Sequence, residues 1–360
     1  MSLRVVALPG DGVGVEVTTQ ALAVLGVVSE GAGIDLEVEE HPIGGRAIDE
    51  LGAPLPDGTL RACRNADAVL LGAVGGPRWD HLSGDMRCES GLLALRAGLG
   101  VFANLRPVRV HPRLADRTPL RPEVVRGVDL LVVRELTGGA YFGKPKGRDQ
   151  RSAVDTIAYS REEIERVARV AFAIAAERRA RLTSVDKANV LATSGLWRET
   201  VSEVAAEFPE VSLEHALVDS FAMRLVQHPR DIDVVVTENL FGDILSDEAA
   251  VLTGSLGLLP SASLGLDGPG LYEPVHGSAP EIAGTDRANP YGAILSVALL
   301  LRHSAKRPDL AAAVEAAVAG CIAGGVLTVD LGGSAGTAEV GSAVAAALAA
   351  LVTASVGATR

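Results

Sequence analysis

Leu3-Arg-Val-Val-Ala-Leu-Pro-Gly10, continued by Asp11-Gly-Val-Gly14 and by apolar residues spaced from Val17 to Val28, reads as a β-branched strand, a tight turn and an amphipathic helix. The alternation recurs along the chain. Asp35 to Glu39 alternates, Thr59 to Arg64 is helix-like, and Ala68-Val-Leu-Leu71 is an apolar strand that stops at Gly72-Ala-Val-Gly-Gly-Pro77. Val128-Asp-Leu-Leu-Val-Val133 and Ile232-Asp-Val-Val-Val236 are further candidates for buried strands, and the spacing predicts a long helix from Arg161 to Arg181 with its charges outward. Strands alternating with helices imply an α/β fold with at least partly parallel pairing. The glycine-rich stretch from Thr137 to Gly147 is too long for an ordinary turn and is expected to be a functional loop or an arm.

A length of 360 residues exceeds one small core, so two lobes are expected. A net charge of −12 would repel a phosphate backbone, and 3% aromatic residues leave few platforms for stacked bases, which argues against nucleic-acid binding. Hydrophobic residues at 48% against 22% charged suit a packed core. Cys63, Cys88 and Cys321 are odd in number and far apart, so neither a disulfide framework nor a zinc site follows. The opening residues lack the basic flank and apolar core of a secretory signal, and a cytoplasmic location is expected. Val340 to Thr359 carries no charge and is long enough to span a bilayer, but its alanine-rich composition favours a packed helix, with no membrane contact.

Gly10-Asp-Gly-Val-Gly14 follows a strand and opens a helix, yet the third glycine of a dinucleotide fingerprint would fall at Val15, and Glu16 would set a carboxylate near a pyrophosphate. A turn needing positive φ is the better reading. Asp243 and Asp247 stand four apart on one helix face, where like charges repel; they are either a divalent-cation site among Phe241, Ile244 and Leu245 or a solvated pair. Lysine occurs only at 144, 146, 187 and 306. Lys187, at the end of an apparent buried strand, is either a general base, which arginine could not replace, or the ion-pair partner of Asp186. Arg96, Arg106 and Arg134 each end or flank an apolar segment; if they converge they suit a small polycarboxylic acid, and taken singly each is an ordinary paired arginine. Glu273-Pro-Val-His-Gly-Ser-Ala-Pro280, followed by Glu281, mixes turn and helix-start signals and could receive a phosphate or an adenine edge, or be a capped helix.

Taken together, these segments resemble the β-hydroxyacid oxidative decarboxylases, the isocitrate/isopropylmalate dehydrogenase family. The likeness runs from Gly10 to Asn289-Pro290 through Glu89-Ser-Gly-Leu-Leu-Ala-Leu-Arg96, Asn104-Leu-Arg-Pro107, Val133 to Gly139, Tyr141-Phe-Gly143, Asp186-Lys-Ala-Asn189, Asn239 to Asp247 and Glu273 to Pro280. It implies a two-domain α/β fold with a central mixed, largely parallel sheet and a non-Rossmann dinucleotide site. The cofactor-side domain would comprise residues 1–101 and 254–360, and the substrate and dimerisation domain 102–253, with an arm at about 141–159.

The implied activity is NAD-dependent, Mg²⁺- or Mn²⁺-assisted oxidative decarboxylation of 3-isopropylmalate to 4-methyl-2-oxopentanoate and CO₂, a step of leucine biosynthesis. Carried over residue by residue, the resemblance assigns Arg96, Arg106 and Arg134 to the malate carboxylates and Asp219, Asp243 and Asp247 to the metal. Lys187 would be the base with Asp219 beside it, and Tyr141 the acid. Lys187 and Asp219 would reach the active site of a second copy, so a homodimer is implied. The substituent on the substrate would face Leu92, Leu93 and Val190, with Glu89 disfavouring a third carboxylate. NAD would lie against Gly277, Ser278 and Ala279, with His276 and Asn289 at the adenine, Gly75, Gly76 and Glu89 towards the nicotinamide, and Glu273 nearby. Glu281 stands where most NAD-using members have aspartate; the charge is kept and the reach grows by one methylene. D-malate, tartrate and homoisocitrate dehydrogenases share this pattern, and a non-catalytic regulatory subunit would have lost some of these residues.

Overall fold

The structure, a computed structural model, describes residues 1–357, with side chains to residue 351, so the last part of the uncharged stretch 340–359 lies outside the described residues. The chain divides into two compact units, one made of Met1–Val101 and the chain from Ser255 onward, the other of Phe102–Gly254. Both are α/β with largely parallel strands.

In the first unit the strand order is Asp35–Glu40, Ser2–Gly10, Ala68–Ala73, Gly270–Pro274, Pro260–Leu264, parallel except for the last pair. Every residue of Ala68–Ala73 is buried, as a strand flanked on both sides requires. The acidic Asp35–Glu40 stands at the edge, where charge discourages further pairing. Helix Gly14–Ala32 buries Val17, Ala21, Val24, Leu25 and Val28, and it packs with Tyr291–His303 and Thr337–Gly357. Val340, Val344 and Leu348, one helical turn apart, are fully buried, so the uncharged C-terminal stretch forms a packed helix as far as it is described. Among the described residues no helix is long and apolar enough to cross a membrane.

The turn after the first strand requires glycine twice over. Gly10 and Gly12 hold φ of 69° and 58°, and added Cβ atoms would lie 1.9 Å from the Ala73 carbonyl oxygen and 2.0 Å from that of Ser278.

In the second unit Ala103–Arg109 runs antiparallel to Asp129–Glu135, and Val234–Thr237, Arg181–Asp186 and Ser212–Leu217 follow in parallel. The helix expected from Arg161 to Arg181 ends at Ala176, and Arg181 opens a strand. The cause is Asp233, whose fully buried carboxylate accepts hydrogen bonds from Arg178 Nε at 2.9 Å and the Arg179 backbone at 3.0 Å, while Ala180 turns left-handed at φ 53°. Charges expected on a solvated helix face thus anchor a corner. Asp233 also lies outside the strand expected over Ile232 to Val236, which begins at Val234. Helix Arg161–Ala176 starts with a capping box between Ser160 and Glu163. The glycine-rich segment folds into a short turn at Gly139–Tyr141 and a two-stranded ribbon of Gly147–Arg148 with Ala153–Val154.

Candidate active site

Helix Asn239–Ala250 begins where strand Val234–Thr237 ends, its first turn capped by the Glu238 carboxylate, which accepts from the Leu240 and Phe241 amides. Asn239, Gly242, Asp243, Ser246 and Asp247 fall at helical spacing on one face. That face meets two arginines from the antiparallel strand pair. Arg106 donates to Ser246 Oγ at 2.7 Å and Asp247 Oδ1 at 3.0 Å, and lies 3.5 Å from Asp243 Oδ1. Arg134, only 3% exposed, bonds Asp243, and its stem fits against Gly242, where an added Cβ would come within 2.7 Å of Arg134 Cγ. Tyr141 donates to Asp243 Oδ2 at 2.7 Å, with the Arg134 guanidinium 5.7 Å from its ring centroid.

The electrostatics follow from this packing. Desolvation raises the pKa of Asp243, but Arg134, the Tyr141 hydroxyl and Arg106 outweigh it and hold the carboxyl below its ordinary range. Burial, then the bond to Asp243, pushes the Tyr141 phenol up to about 12. Asp243 and Asp247 share a face as their spacing predicts, and Arg106 bridges them. The apolar surroundings expected for both shield only one, since Asp247 and Ile244 are largely exposed.

Lys187 follows strand Arg181–Asp186 and forms an ion pair with Asp219, not with Asp186. Asp186 is buried and already holds the Arg198 fork at 2.9 and 2.8 Å. The lysine lowers the pKa of Asp219 through their hydrogen bond. Among the described residues no three His, Cys, Asp or Glu side chains are grouped so that they could hold a metal ion, so within one chain Asp219 does not join Asp243 and Asp247 in such a group. The carboxylate oxygens of Asp243 and Asp247 are nonetheless the hard donors that Mg²⁺ or Mn²⁺ takes, and an ionised Asp243 is in the state a ligand needs.

In the first unit Arg96 is nearly buried and pairs with Glu273 at 2.8 Å, whereas Arg106 and Arg134 belong to the second unit. Gly75 and Gly76 hold φ of 97° and 155°, and an added Cβ on Gly75 would lie 3.4 Å from Glu89 Oε1. Leu92 and Leu93 are half-buried, whereas Glu89, Val190 and Glu281 are exposed. The Gly277-Ser278-Ala279 segment lies against the first turn, with Val13 donating to the Ser278 carbonyl at 2.8 Å and Ala279 at φ 35°.

His276 fits an adenine. Its Nδ1 lies 2.9 Å from the Gly277 carbonyl and therefore carries the hydrogen, which makes Nε2 an acceptor; that atom is buried without a partner. Burial lowers the pKa of the ring and keeps it neutral. Asn289 is buried, donating to Asp330 Oδ2 at 2.9 Å and accepting from the Tyr291 amide at 3.0 Å.

Three contributors were not singled out by the sequence. Asp11 accepts from the Gly45, Arg46 and Gly75 amides at 2.7–2.8 Å and so ties the first turn to the Gly75-Gly76 segment. Its place between two glycines of positive φ was the available signal. Asn104 accepts from Arg106 Nε at 2.9 Å, two residues along the same strand face, and Asn239 accepts from Arg134.

The family described as isocitrate/isopropylmalate dehydrogenase matches residues 4–344. A 3-isopropylmalate dehydrogenase of Anaeromyxobacter dehalogenans is 58% identical over 341 residues, 94% of this chain and 97% of that protein. Among solved structures, isocitrate dehydrogenase from Methylococcus capsulatus superposes with a TM-score of 0.86 at 34% identity, covering 96% of this chain and 99% of that one. A beta-decarboxylating dehydrogenase from Thermococcus kodakarensis gives 0.81 at 39% identity, covering 98% and 97%.

Proposed function

The chain belongs to the isocitrate/isopropylmalate dehydrogenase family, and on that premise we propose that it oxidises and decarboxylates 3-isopropylmalate to 4-methyl-2-oxopentanoate and CO₂ with NAD, in the cytoplasm, for leucine biosynthesis. The site observation that carries the reading is the Asp243 carboxylate held at once by Arg134, Arg106 and Tyr141. Such a constellation gathers in one place an acid-binding fork, a metal-type carboxylate and a proton donor.

Arg106 and Arg134, with Arg96, grip the substrate carboxylates and fix the C2–H bond towards the nicotinamide. The partner subunit's Lys187 takes the C2 hydroxyl proton as hydride leaves C2, and the partner subunit's Asp219 holds that lysine in place. Tyr141 stays protonated at neutral pH and gives its proton to the carbon that has lost CO₂. When bound, a divalent ion on Asp243, Asp247 and the partner subunit's Asp219 supplies Lewis-acid polarisation, and NAD, held by His276 and the Gly277 to Ala279 segment, supplies the hydride acceptor.

Leu92, Leu93 and Val190 favour a branched alkyl substituent, and the Glu89 carboxylate disfavours a third carboxylate. The Glu281 charge would repel a 2′-phosphate and so favours NAD over NADP. Pairing of two copies is supported by Met223 and Val226 on helix Val218–Gln227 and Ile244 on helix Asn239–Ala250, apolar side chains left in solvent.

Relative kcat/KM for 3-isopropylmalate, D-malate, tartrate, homoisocitrate and isocitrate, each with NAD and NADP, tests the reading. The expected order puts 3-isopropylmalate with NAD first. A preference for unsubstituted D-malate would overturn the alkyl-pocket argument, and a preference for isocitrate the role given to Glu89.

A further inference from the structure

We infer that Asn239 is a positioning residue that locks the Arg134 fork and ties it to the backbone of the loop carrying Tyr141. The observation is one amide used at both ends. Its Oδ1 accepts from Arg134 Nε at 3.0 Å and from Nη2 at 2.8 Å, and its Nδ2 donates to the Gly138 carbonyl at 3.1 Å.

A guanidinium presents its donors in a rigid plane. With two of its three nitrogens committed to one buried oxygen, rotation about the stem is blocked and Nη1 is directed at Asp243. The other half of the Asn239 amide holds Gly138, the residue before the Gly139–Tyr141 turn. Asn239 is itself fixed. It is 1% exposed, and its backbone amide donates to the Tyr159 hydroxyl at 3.0 Å, which in turn donates to Glu238 Oε2 at 3.1 Å. A neutral amide suits this place because it accepts from the arginine without cancelling its charge, and aspartate could not donate to the carbonyl.

The inference rests on the proposed role of Arg134 as a carboxylate binder, and a double-mutant cycle separates the two. Asn239→Ala is measured alone and on Arg134→Lys, whose ammonium cannot offer the same pair of donors. KM for 3-isopropylmalate, KM for NAD and kcat are read for each variant. Alone, Asn239→Ala is expected to raise the 3-isopropylmalate KM by about tenfold, the worth of a charge-assisted hydrogen bond, and to leave the NAD KM within about twofold. On Arg134→Lys it should raise the 3-isopropylmalate KM little further.

An unchanged KM in the single variant, a full effect carried over onto Arg134→Lys, or equal rises in both KM values would overturn the assignment. Should Asn239→Ala fail to fold, Asn239→Asp replaces it. That variant keeps the acceptor but sets a negative charge beside Arg134 and an oxygen against the Gly138 carbonyl, so the 3-isopropylmalate KM should rise and kcat fall together with the NAD KM unchanged; an unchanged kcat would count against the tie to the loop. Wild-type protein inactive on 3-isopropylmalate defeats the substrate reading instead, and the cycle is then run on whichever 2-hydroxy acid of the panel it oxidises.

Discussion

At the scale of single residues, the choice of partner decides chemistry. Lys187 faces Asp219 because Asp186 is already saturated by Arg198, which leaves the lysine at the end of its strand with one exposed carboxylate. If that lysine is the base, Lys187→Arg keeps the ion pair and the fold but cannot give up a proton, and kcat should drop by about 10²–10⁴-fold with an unchanged thermal midpoint. Steady-state rates beside a melting curve check this; retained turnover would put the base elsewhere. His303 makes a second residue-scale case. Standing in the last turn of helix Tyr291–His303, it should gain about 0.3–1 kcal/mol as a cation from the helix dipole. Burial, then the charges of Arg302 and Lys306, overrides that and pulls its pKa from 6.5 to about 4. The unfolded chain therefore binds this proton more readily than the folded one, so the stability contributed is complete above 6.5 and is lost as pH falls towards 4. Urea midpoints across that window should fall less steeply in His303→Leu than in wild type, and parallel curves would show that other groups dominate.

At the scale of elements, helix Asn239–Ala250 turns a local periodicity into a site. Its polar face is also where a glycine is kept against helix propensity. Alanine at 242 would favour the helix by about 1 kcal/mol, yet its Cβ would meet Arg134 Cγ at 2.7 Å and Cβ at 2.8 Å. Function and stability should therefore part company in Gly242→Ala. The 3-isopropylmalate KM is expected to rise by about tenfold, the loss of one well-placed charge-assisted contact, while the unfolding midpoint stays level or falls only modestly, because overpacking at about 1–3 kcal/mol is partly offset by the gain in helix propensity. Kinetics and denaturant titration on the same preparation decide it, and an unaffected KM would mean that the arginine stem has room to move.

At the scale of the whole molecule, Arg106, Arg134, Tyr141, Asp243 and Asp247 assemble within one chain, while Lys187 and Asp219 form a separate pair. The active site proposed to be shared between two copies makes a direct prediction. Lys187→Ala and Tyr141→Phe are each expected to be nearly inactive. Unfolded together and refolded as a mixture, half of the dimers would be hybrids with one intact site, so about a quarter of wild-type activity should return. No recovery, with hybrid dimers demonstrated by native mass spectrometry, would mean that each chain supplies its own lysine.

The strand, turn and helix from Leu3 to Val28 were legible in the sequence because their causes are local: side-chain period, and glycines placed where φ is positive. The common face of Asp243 and Asp247 was legible for the same reason. Local rules reach about one helical turn, and the errors begin where chain segments return from afar. Asp233 ended the helix at Ala176 from more than fifty residues away, and Asp219 took Lys187 from Asp186, the nearest carboxylate in sequence. Arg96 found Glu273 177 residues along the chain. Such pairings are set by which strands lie side by side and by the need to satisfy each buried charge, and that is decided only when the tertiary structure closes.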